Sequence, residues 1–105
     1  MPVVFVQEFD VEPGGYRSTT NYDAVSARLD VEANPPPGGI VHTAGFDEET
    51  GVFRILDVSE SREHAQRFLD ERLMPIVQEL LADRADAPPP SREYFYELHD
   101  LFVKP

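Results

Sequence analysis

Apolar and polar positions divide the chain into six segments separated by turn-forming residues. Residues 3–9, "VVFVQEF", are β-branched and aromatic and start apolar on both alternating faces, which predicts a well-buried strand. A loop broken by Pro13-Gly14-Gly15 follows. Thr20-Asn21-Tyr22-Asp23 is similar to a capping box with Asp23 in place of the usual Glu. Tyr22, Val25, Ser26 and Leu29 then recur at helical spacing and predict a short helix over about 20–31, with a thin apolar stripe suited to covering a surface. "EANPPPGG" ends it, because three consecutive prolines cannot continue a helix and hold the chain extended.

Two short strands, 40–46 and 52–58, flank "DEETG", where Gly51 can take a positive φ, and together they predict a hairpin. Ser61 is the expected N-cap of the strongest helix, and Glu63 suits its first turn. Ala65, Phe68, Leu69, Leu73, Ile76, Val77, Leu80 and Leu81 form its core-facing stripe. Pro75 inside that stripe predicts a kink or break near Leu73-Met74. After the polar, proline-rich "DRADAPPPS", the last strand is expected over about 92–103.

The order strand, helix, strand, strand, helix, strand predicts an α+β, ferredoxin-like βαββαβ fold: a four-stranded antiparallel sheet with both helices on one face. The first and last strands carry apolar residues on both alternations, Val4 and Val6 against Val3, Phe5 and Phe9, and Tyr94, Tyr96, Leu98 and Phe102 against Phe95, Leu101 and Val103. Helices cover one face only, so the other asks for a partner. A second copy of the sheet is the simplest one, giving a homodimer packed sheet to sheet that approaches a barrel.

Composition narrows the functional classes. The 105 residues suit one domain spanning 1–105. No apolar run is long enough for a membrane span, the N-terminus has no signal-peptide pattern, and cysteine is absent, so a cytoplasmic location is the default. The net charge of −11 disfavours nucleic acid and anionic lipid as partners. The acidic residues are spread along the chain, without the convergence a metal site needs, and no phosphate loop or nucleophile motif appears.

"NYDAVSARL", "PPPGGIVHTAG", "RILDVSESREHAQRFLDERLMPIV" and "ELHDLFVKP" resemble the dimeric α/β-barrel superfamily, and within it the small antibiotic biosynthesis monooxygenase-like proteins of actinobacteria. The resemblance runs over nearly the whole chain, but its motifs are patterns of packing and turns, which mark a fold better than a reaction. Relatives often carry tryptophan where this chain has Ser59, which implies a larger or more polar pocket here. The haem-degrading branch uses a histidine late in the second helix. This chain has only His64, at that helix's start, so haem is disfavoured and no metal or organic cofactor is expected.

His42 shares a face with Ile40, Ala44 and Phe46 and is the candidate general base; otherwise it is a half-buried strand histidine bonded to a neighbour. His99 alternates with Glu97 and Leu101, and in a dimer it could approach the partner's second strand. Tyr94 and Tyr96 could orient a carbonyl or phenolate oxygen, although an interface aromatic is the commoner case. Arg54 could bind an anionic oxygen or pair with Asp57, Glu8 or Glu97. His64, in the first turn of its helix, is expected to be solvated. Two readings remain. One is an enzyme acting on an aromatic or polyketide-like compound, monooxygenase-like or cyclase-like. The other is a non-catalytic dimeric module that binds a small ligand or steadies a partner.

Overall fold

A computed structural model describes residues 1–11, 19–84 and 87–104. The Pro13-Gly14-Gly15 loop lies outside the described residues. The strands are β1 (Val3–Asp10), β2 (Gly39–Asp47), β3 (Val52–Ser59) and β4 (Arg92–Glu97), and the helices are α1 (Thr20–Leu29), α2 (Arg62–Phe68) and α3 (Met74–Leu81). The antiparallel sheet has the order β2-β3-β1-β4, the ferredoxin-like arrangement expected, with β2 and β4 at its edges.

Register assigns the faces, because residues directly opposite one another share a side. Phe5, Gln7 and Phe9 lie on the same face as Asp57, Ile55 and Phe53, as His42, Ala44 and Phe46, and as Phe95 and Glu93. The helices cover this face: Tyr22 of α1 packs edge-on against Phe53, and Arg62 of α2 lies over Phe95. The opposite face carries Val4, Val6 and Val58, a buried cluster joined by Val41, Leu56, Tyr94 and Leu98. Polar groups on that face pair off. Arg54 donates to Glu8 and to Asp47, both at 2.9 Å, and Arg92 comes within 3.6 Å of Glu8. Of the three carboxylates expected for Arg54, Glu8 is therefore the partner, joined by Asp47.

Local devices match the sequence at several points. Gly51 has φ 68° in the hairpin turn. Ser61 caps α2, its oxygen accepting the backbone N–H of His64. The cap of α1 lies at Thr19, one residue before the expected box, and the Thr19 hydroxyl donates to Asp23 at 2.8 Å. Pro75 has the expected consequence in a specific form. Residues Leu69–Leu73 widen into a π-helical turn, closed by the bond from Met74 N–H to the Leu69 carbonyl, and α3 starts afresh with Pro75 in its first turn.

Two expectations need correction. The last strand ends at Glu97, not near Val103. Glu97 pairs with Val3, the first residue of β1, and the Leu98 N–H reaches Pro2 O at 2.9 Å. Beyond that point β1 offers no strand to pair with. Leu101, Phe102 and Val103 follow as an exposed, irregular tail, with Phe102 85% exposed. His64 is not solvated: its ring is half-buried beneath Gly38, and its Nδ1 lies 2.7 Å from the Ser61 hydroxyl.

Candidate functional site

Between the helices and the covered face lies a cavity of about 1160 Å³. Aromatic and aliphatic side chains form most of its wall, among them Phe9, Phe46, Phe53, Phe68, Val25 and Leu29. The π-turn fits α2 and α3 to it. Phe68 and Leu73 both line the cavity five residues apart, a step that suits the wider turn, and Val77 and Leu81 continue the wall at four-residue steps.

His42 sits in this wall on edge strand β2. Its Nδ1 is 2.5 Å from an Asp57 carboxylate oxygen on β3, and its Nε2 is 2.6 Å from the Tyr22 hydroxyl on α1. The carboxylate can only accept, so Nδ1 carries the proton in the neutral ring and Nε2 becomes the acceptor. Tyr22 then donates to Nε2, which completes a phenol–imidazole–carboxylate chain. The Asp57 hydrogen bond raises the His42 pKa above its usual value, and the Asp57 charge adds to this while burial opposes it. Burial, followed by the nearby charges of Asp57 and Asp23, raises Tyr22, so the phenol keeps its proton. The His42 side chain is 41% exposed, which leaves the ring within reach of a bound molecule.

The other residues singled out in the sequence fall elsewhere. Arg54, Tyr94 and Tyr96 lie on the opposite face of the sheet, outside the cavity wall, so one protomer does not bring them to His42. Tyr94 and Tyr96 stack on each other with ring centres 6.2 Å apart. His99 lies beyond β4 in the exposed C-terminal segment, not on a strand. Ser59 does line the cavity, as does His64. Among the described residues, no group of three or more metal-ligating side chains converges, and no helix is long and apolar enough to cross a membrane.

Sequence reasoning missed Tyr22 and Asp57 as members of the site. Asp57 had a signal. In a hairpin whose turn pairs Asp47 with Val52, His42 and Asp57 each lie five residues from the turn and must face each other. Tyr22 had none beyond its place on the inward stripe of α1.

No family model matches the chain, and no curated protein matches it. Solved structures do. SnoaB, a cofactor-independent oxygenase from Streptomyces nogalater, is similar over 98% of this chain and 98% of its own, with a TM-score of 0.63 at 17% identity. A protein from Chloroflexus aurantiacus, provisionally assigned as an antibiotic biosynthesis monooxygenase, covers 98% of each chain with a TM-score of 0.59 at 18% identity. The chain has the fold of the antibiotic biosynthesis monooxygenase-like proteins. Rv0793 from Mycobacterium tuberculosis has it too, over 98% of each chain, with a TM-score of 0.54 at 16% identity. At these identities the likeness is one of fold, and the chemistry has to be argued from the cavity.

Proposed function

We propose that this protein is a small-molecule tailoring enzyme of the cofactor-independent monooxygenase type, with His42 as its general base. The observation that carries this reading is the Tyr22–His42–Asp57 chain set in the wall of a large apolar cavity. Asp57 fixes the tautomer and supports the imidazolium that forms, and Nε2 receives the proton. A phenolic or enolic ligand delivers that proton either directly, by displacing Tyr22 from Nε2, or through the Tyr22 oxygen. The apolar wall supports an aromatic or polyketide-like ligand, whose delocalised anion reduces dioxygen: a ring CH2 becomes C=O with one oxygen atom, the other leaves as water, and the substrate supplies all the electrons. A cyclase would use the same base without oxygen. The cofactor-independent oxygenase activity of SnoaB, on the same fold, supports the first variant.

A non-catalytic module is the alternative, and an open cavity with converging polar groups speaks for ligand chemistry over a packed core. We take the 105 residues as one domain that works in the cytoplasm as a homodimer. The unpaired sheet face and the apolar tail support the dimer.

Oxygen uptake on a panel of reduced polycyclic phenols tests the reading. The wild-type protein should consume oxygen, and His42→Ala should slow uptake at least about a hundredfold. Full uptake by His42→Ala would remove the proposed base.

A further inference from the structure

The cavity has a second polar end. Gln7 of β1 is only 9% exposed, and its amide nitrogen donates to a Glu93 oxygen on β4 at 3.0 Å. Both residues line the cavity. With one Gln7 amide N–H committed to Glu93, the pair offers two acceptors, the Gln7 carbonyl oxygen and the second oxygen of Glu93, against one remaining amide N–H, and its only full charge is the negative one of Glu93. This end lies far from His42. Two strand spacings across the sheet and one same-face step along it separate the backbones of His42 and Gln7, roughly 12 Å.

The charges around the cavity have one sign. Asp10, Asp57 and Glu93 line it, and among the described residues no lysine or arginine does. Arg62, the cation stacked over neighbouring Phe95 at 4.3 Å, is outside the lining.

We propose that Gln7 and Glu93 form a ligand subsite that takes a hydrogen-bond donor, an ammonium or hydroxyl group, at the end of an apolar molecule whose other end reaches His42. The subsite rests on the cavity being the ligand site, as proposed above, and adds the polarity of the ligand. An ammonium gains a charge-assisted bond to Glu93. A hydroxyl donates to either acceptor. A carboxylate or phosphate there meets the Glu93 carboxylate and a surrounding negative charge, so anionic ligands are disfavoured.

Three planar tricyclic probes of similar shape test this by fluorescence titration: 9-aminoacridine as cation, 9-anthracenemethanol as neutral alcohol and anthracene-9-carboxylate as anion. The wild-type protein should bind the cation about tenfold or more tighter than the carboxylate, with the alcohol between them. Glu93→Gln keeps the size of the side chain and should weaken the cation about fivefold, while changing the alcohol less than about twofold. The titration needs no turnover, so a ranking that holds while the wild-type protein takes up no oxygen on the phenol panel supports the subsite and overturns the proposed chemistry alone. Equal affinity for cation and carboxylate overturns the subsite. So does an undiminished cation preference in Glu93→Gln, which would trace the preference to the overall charge of −11. Failure of all three probes to bind overturns the cavity as a ligand site, and the subsite with it.

Discussion

At the scale of single residues, the site is an imidazole held between a carboxylate and a phenol. The direction of the His42 pKa shift has a kinetic consequence. The base works when neutral, so turnover should rise with pH along a limb whose midpoint lies above the usual histidine value of about 6.5. Asp57 is the main cause of the shift, so Asp57→Asn should move that limb to lower pH and lower turnover by about a hundredfold, because the amide no longer fixes the tautomer. A pH–rate profile of both proteins checks the pair of effects. The same shift bears on stability with the opposite pH sense. A pKa raised in the folded state adds stability below about 6.5, which is lost as pH climbs through the raised value. With the ring 41% exposed, solvent screening keeps that contribution small. His42 itself was legible in the sequence as an odd residue on an apolar strand. Tyr22 was legible only as a stripe position, because which sheet residue an inward helical side chain meets depends on how the helix docks.

Among the elements, the hairpin and the second helix were the most legible, since both are specified by contacts close in sequence. Gly51, Ser61 and Pro75 each act within a few residues of themselves. The errors involve long-range pairing. Arg54, Tyr94 and Tyr96 were grouped with His42, but alternation along each strand says nothing about which faces coincide until the β1–β3 and β1–β4 registers are known. The end of β4 is likewise set by where β1 begins, nearly the whole chain length away. The prolines and glycines before β2 have a role the sequence could not show. Gly38 has φ 77°, and a Cβ built there would stand 2.5 Å from the His64 ring. Gly38→Ala should therefore combine left-handed strain with a clash and cost about 2 kcal/mol or more, lowering the melting temperature by about 10 °C. Gly45→Ala, where a Cβ meets nothing within 4 Å, is the control and should change it little. Thermal unfolding followed by circular dichroism reads both.

For the whole molecule, the sheet has one face under helices and a cavity, and another on which, among the described residues, no helix packs. That second face combines buried valines, paired tyrosines and a network of two arginines and two carboxylates, Arg54, Arg92, Glu8 and Asp47, and the tail beside it exposes Leu101, Phe102 and Val103. Apolar area of this kind beside internally neutralised charge suits a self-complementary interface. Light scattering should give twice the 11.9 kDa chain mass, and Phe102→Asp should shift the population towards monomer at micromolar concentration. A clean monomer of about 12 kDa for the unaltered protein contradicts the dimer.

The central claim, that Asp57 and Tyr22 prepare His42 as a base, is tested most directly by nitrogen-15 NMR of the His42 ring across pH. The neutral ring should carry its proton on Nδ1, with a pKa above about 6.5 that falls in Asp57→Asn. A neutral ring protonated on Nε2, or a pKa at or below 6.5 that ignores Asp57→Asn, would contradict it.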